Sequence, residues 1–107
     1  MSAEFIRVAI VSEIPERKCK LIVLEDEHVG LWRVNGRIYA INNICPHQHI
    51  SSLHQGTLEG LCVTCPMHGW TFSLETGAAT FGTGQAKTYR VSVEGGNVFV
   101  EKPVGFW

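Results

Sequence analysis

Trp32-Arg33-Val34-Asn35-Gly36-Arg37-Ile38-Tyr39-Ala40-Ile41 decides the fold class. Aromatic and β-branched residues flank an Asn-Gly pair, and these two residue types tolerate the positive φ that both central positions of a two-residue hairpin turn require. The stretch predicts an antiparallel hairpin with strands over residues 30–34 and 37–41. Working outward, short alternating segments rich in Val, Ile, Tyr and Phe recur, broken by Gly, Asn and Asp, while long helical periodicity is missing. Further strands are expected at 5–10, 19–24, 61–64, 71–73, 88–93 and 98–101. Gly95-Gly96 marks a second hairpin. The chain reads as all-β.

A length of 107 residues suits one domain spanning 1–107 and is enough to bury a core without disulfide staples. Between Asn42 and Gly84 the texture changes to clustered Cys, His, Pro and Gly, so residues 42–84 are expected to form a subdomain set into that single fold. Apolar runs fall short of the roughly 20 residues of a spanning helix, and no membrane association is expected. Met1-Ser2-Ala3-Glu4 opens on an acidic residue instead of a basic and then apolar segment, which points to a cytoplasmic location. With a formal charge of −1 and scattered Lys and Arg, the chain lacks the basic stripe of a nucleic-acid binder. The run Glu25-Asp26-Glu27 is expected to be a solvated hairpin tip without function.

Cys45-Pro46-His47 and, after seventeen intervening residues, Cys65-Pro66-Met67-His68-Gly69-Trp70 carry the chemistry. Each half falls at an expected strand-to-loop junction, so two loops can face one another and supply one thiolate and one imidazole each. Soft sulfur and borderline nitrogen donors suit zinc or iron–sulfur chemistry rather than magnesium or calcium. Structural zinc sites usually pair ligands two to four residues apart. Cys45 and His47 have one residue between them, which a two-iron cluster accommodates because the two ligands can bind different irons. A structural zinc module stays as the alternative, along with a buried cysteine pair beside incidental histidines. Cys19 and Cys62 alternate with apolar neighbours and are expected to pack in the core. His28, His49 and His54 are expected to be turn or loop residues, with His49 a candidate neighbour of the metal site. Trp70 and Phe72 suit core packing, shielding of the site, or both; Phe106-Trp107 suits either core closure or a docking patch.

These residues closely resemble the Rieske proteins, in which a Cys-x-His and a Cys-Pro-x-His-Gly-Trp together bind one [2Fe–2S] cluster. The likeness extends through Arg37-Ile38-Tyr39-Ala40-Ile41, Gly56-Thr57-Leu58-Glu59-Gly60, and Phe72 through Thr76-Gly77. It is greatest with soluble bacterial Rieske ferredoxins and with nitrite reductase small subunits. One departure is local: His49 stands where the family commonly has Gly, and Leu53 comes one residue late, which implies a longer first loop. The resemblance implies an antiparallel β-sandwich with an inserted cluster-binding subdomain. Cys45 and Cys65 would hold the inner iron, His47 and His68 the outer one, and Phe81-Gly82-Thr83-Gly84 would be the covering loop.

The expected function is single-electron transfer from a flavin-dependent reductase to a terminal oxygenase or reductase. The alternative is a redox subunit docked on a nitrite reductase large subunit. The chain is expected to be a carrier, not an enzyme, since 107 residues leave no room for the catalytic domain of an oxygenase. High-potential relatives place a Ser and a Tyr where this chain has Trp70 and Phe72, and a disulfide where it has Ile50 and Met67. All of these differences imply a low potential, because hydrogen bonds to cluster sulfurs raise it.

Overall fold

The computed structural model describes residues 4–44, 53–66, 69–82 and 84–102. Three antiparallel sheets stack through two cores. The first sheet has the order β1-β11-β10, from Phe5–Ile10, Asn97–Glu101 and Val91–Glu94. The second has the order β2-β3-β4-β9, from Cys19–Leu24, Glu27–Val34, Arg37–Asn42 and Thr88–Tyr89. The third runs β5-β6-β7-β8 through Thr57–Glu59, Cys62–Thr64, Thr71–Ser73 and Ala79–Phe81. Single 3-10 turns at Val11–Glu13 and Leu53–Gln55 complete the described elements. Among the described residues no helix is long and apolar enough to cross a membrane.

The second sheet is the middle layer, and the period of two along its strands assigns side chains to opposite cores. Val29, Leu31, Ile38 and Ala40 face a core shared with Ala9, Ile14, Leu24, Val98 and Val100. Trp32, Val34 and Ile41 face the other, shared with Leu53, Val63, Cys65, Phe72, Leu74 and Ala86. This double coverage explains why Val29 to Trp32 are all buried. It is the arrangement of an antiparallel β-sandwich with a further small sheet packed on its outer side.

The Asn35-Gly36 turn forms as expected, with φ of 54° and 81° joining Val34 to its partner Arg37. Gly95-Gly96 likewise joins β10 to β11. Two expectations are corrected. β3 begins at Glu27, so the solvated hairpin tip is Glu25 and Asp26 alone, turning with φ of 50° and 73°, while Glu27 enters the sheet. The strand expected at 88–93 divides at Arg90, because β9 pairs with β4 and β10 with β11, so the chain crosses there from the middle sheet to the first. β5 and β8 escape the sequence reading because they are short and bury no residue, unlike the equally short β6 and β7, whose central Val63 and Phe72 are buried.

Candidate metal centre

β6 and β7 form a hairpin whose connecting loop carries the second half of the motif. Val63 pairs with Phe72 and Thr64 with Thr71, and the two threonine hydroxyls meet at 2.9 Å. Above them the chain closes on itself. Cys65 N–H donates to the Trp70 carbonyl at 2.7 Å, and Gly69 N–H donates to the Cys65 carbonyl at 3.0 Å, with Gly69 at φ 74°. Alternation along β6 turns Val63 and Cys65 into the core and Cys62 to the other side. Cys65 is accordingly 1% exposed. Cys62 is half-buried and belongs to neither core, which corrects its expected core placement. Cys19 does pack against the core, and burial pushes its thiol up to about 12, so it stays protonated.

Phe72 is fully buried and Trp70 half-buried against the same core. Gly82, in the segment expected to cover the site, meets this indole: a Cβ built on it would lie 2.4 Å from Trp70 Cδ2, so only glycine admits that approach. Phe81, beside it, is 64% exposed.

The first half of the motif is rooted at the end of β4. Asn43 is fully buried and bonds at all four of its polar groups. Its N–H donates to the His28 carbonyl (2.8 Å) and its carbonyl accepts from Leu53 N–H (3.1 Å). Its Oδ1 accepts from His54 N–H (2.5 Å), and its Nδ2 donates to His54 Nδ1 (2.8 Å). Asn42 Oδ1 accepts from Ile44 N–H (2.8 Å), and its Nδ2 donates to the Tyr89 hydroxyl (3.0 Å). Tyr89 in turn donates to Glu27, whose two oxygens accept from Lys87 Nζ at 2.9 Å. Burial first, and then the bond to Glu27, raises the Tyr89 pKa, which keeps it a donor. Glu27, Asn42, Asn43 and His54 are the residues that sequence reasoning missed. His54 was expected to be no more than a loop residue, and Asn42 read only as the boundary of the changed texture.

Of the four candidate ligands, Cys65 lies within the described structure; Cys45, His47 and His68 lie outside the described residues, as do His49, Ile50, Met67, Thr83 and Phe106-Trp107. A thiolate in an apolar core is costly unless a cation compensates it. The burial of Cys65 thus fits a cluster whose cysteine side faces inward, and the soft donor set of the motif fits iron and sulfide.

Comparison with known proteins agrees with this geometry. The ferredoxin component of the naphthalene 1,2-dioxygenase system of Pseudomonas aeruginosa is 34% identical over 103 residues, covering 94% of this chain and 98% of that protein. The ferredoxin of carbazole 1,9a-dioxygenase from Nocardioides aromaticivorans IC177 superposes with a TM-score of 0.86 at 26% identity, covering 92% of this chain and 98% of the other. A candidate NADH-dependent nitrite reductase small subunit from Mycobacterium tuberculosis reaches a TM-score of 0.88 at 17% identity, over 98% and 100% of the two chains, and so shares the fold. The family model of the Rieske [2Fe-2S] domain matches residues 4–94, and the chain belongs to that family.

Proposed function

We propose that this chain is a low-potential electron carrier in which Cys45 and Cys65 hold the inner iron of one [2Fe–2S] cluster and His47 and His68 the outer iron. The observation that carries the ligand assignment is Cys65, turned into the core at the mouth of the β6–β7 loop. When bound, the cluster accepts and returns one electron. The protein's part is to bury the thiolate side, to hold the two loops by their roots, and to shield the site with Trp70 and Phe72. Residues 1–107 act as one domain, with 42–84 as its cluster-binding subdomain.

The partners proposed are a flavin-dependent reductase as donor and a terminal oxygenase as acceptor, supported by the relative that serves a naphthalene dioxygenase system. A nitrite reductase large subunit is the second reading, supported by the shared fold of the small subunit. The cytoplasm is the proposed compartment; its support is that the two non-ligand cysteines of the described residues, Cys19 and Cys62, are not paired in a disulfide, the state a reducing compartment maintains.

Cys45→Ala and Cys65→Ala are each expected to purify without the visible absorption of the cluster, while Cys62→Ala keeps it. A coloured Cys65→Ala protein refutes the assignment, and so does a colourless wild type that contains zinc without iron and sulfide. Neither Trp70 nor Phe72 offers a hydroxyl to a cluster sulfur, so voltammetry near neutral pH should place the midpoint toward the low end of the family range of about −150 to +300 mV. A midpoint above about +150 mV contradicts the low-potential reading.

A further inference from the structure

Asn43 is the one polar residue among the described residues that is buried completely. Burying a primary amide in a core is unfavourable unless each of its polar atoms finds a partner. Here the partners stand on both sides of one segment. Asn43 directly follows β4, and its partners Leu53 and His54 lie on the Leu53–Gln55 turn. It takes the N–H groups of Leu53 and His54 on its carbonyl and Oδ1, and gives its Nδ2 to the His54 ring. The Asn43 N–H ties the same point to His28 on β3, so the tie is anchored to the middle sheet. Asn42 adds a second tie, from Ile44 N–H to the Tyr89 hydroxyl.

We propose that Asn43 and His54 form a latch that ties the end of β4 to the Leu53–Gln55 turn and thereby fixes the root from which the ligands Cys45 and His47 follow. This rests on the reading of those two residues as ligands. Asn43 and His54 are positioning residues, since they act on the ligands through the backbone. The latch also fixes the state of the ring. Asn43 Oδ1 is occupied by a backbone N–H, so the group facing His54 Nδ1 is the amide NH2, which can only donate. His54 Nδ1 must therefore accept, and its proton sits on Nε2.

That polarity separates two substitutions of a half-exposed residue, neither of which threatens the fold. His54→Asn places an amide oxygen where Nδ1 stood and preserves an acceptor for Asn43. His54→Leu has no acceptor and leaves the buried Asn43 Nδ2 without that bond. The readout is the rate at which the visible absorption of the holoprotein bleaches under excess iron chelator, together with the electron-paramagnetic spectrum of the reduced protein. His54→Leu is expected to bleach about tenfold faster than wild type, the usual scale for losing an outer support of a metal ligand, with an altered spectrum; His54→Asn is expected to restore both. Equal bleaching of His54→Leu and wild type overturns the latch, as does His54→Asn behaving like His54→Leu. Cys45→Ala, purified alongside, keeps the two claims apart. Colour in Cys45→Ala refutes the ligand reading itself, whereas a colourless Cys45→Ala beside an unaltered His54→Leu refutes the latch alone.

Discussion

The middle sheet has two sides that are built differently. On one, β1, β10 and β11 cover Val29, Leu31, Ile38 and Ala40 with strands of four to six residues, and β10 turns into β11 through two glycines. Backbone ladders carry the order there. On the other, strands of three residues cover Trp32, Val34 and Ile41, and side chains do much of the joining. Ser73 Oγ accepts from Glu75 and Thr76 N–H, Gln85 Nε2 donates to the Thr76 carbonyl, and Arg17 Nη2 reaches the Leu58 carbonyl at 3.1 Å. A ladder is regular and costs the sequence only a period. An irregular site whose loops must present ligands needs a particular polar residue at each tie.

Core truncations on the two sides should break this comparison most forcefully. Phe72→Ala empties the largest fully buried side chain among the described residues, in the same core as Cys65, and should lower stability by about 3–5 kcal/mol in denaturant unfolding while reducing cluster occupancy. Leu31→Ala, equally buried on the opposite face, should cost about 2–5 kcal/mol yet purify with full colour. If Leu31→Ala lost the cluster and Phe72→Ala kept it, the division of labour between the two sides would be wrong.

Glycine-to-alanine changes sharpen the contrast at smaller scale. Gly36 in the β3–β4 turn has φ +81° and nothing within 4 Å of the place a Cβ would take, whereas Gly82 has φ +100° and the Trp70 ring at 2.4 Å. Gly36→Ala bears the backbone penalty alone, about 1–2 kcal/mol. Gly82→Ala must also push the indole aside, for about 2–4 kcal/mol together, and should shift the tryptophan emission. Equal costs for the two would mean that the indole yields freely, and that the approach of Gly82 does not hold it.

The same contrast governs what the sequence could disclose. Asn35-Gly36 and the alternation along residues 30–41 placed a hairpin with only the end of β3 misjudged, because local turn chemistry and a period of two suffice for it. The ligand motif was legible for a similar reason, being a fixed local spacing of soft donors. Asn43 and His54 were not. Their significance is a meeting across eleven positions, and neither residue type announces it. Glu27 was misread for want of its partners Lys87 and Tyr89, sixty and sixty-two positions away. Strand pairs repeat, so one pair predicts the next; a polar tie between distant residues occurs once and leaves no pattern.

The Asn35-Gly36 turn of the middle sheet is also held by such a tie, and it should give the smallest effect. Glu16 accepts from the N–H groups of Asn35 and, at 3.0 Å, of Gly36, gripping the very turn that the sequence made plain. The Gly36 N–H first, then the Asn35 N–H, hold its carboxyl below the ordinary value of 4.5, with Arg33 and Arg17 adding to the same direction against a desolvation that opposes it. A carboxylate whose pKa is lower in the folded than in the unfolded chain binds fewer protons when folded. Its stabilisation is therefore complete above the unfolded value and disappears as pH falls through the folded one. Glu16 is exposed to water, so the effect should be a small shift of melting temperature, present at neutral pH when wild type is compared with Glu16→Gln and absent once both are acidified below the folded value. A difference that grew on acidification would reverse the sign and show that the grip on the Asn35-Gly36 turn does not depend on the charge.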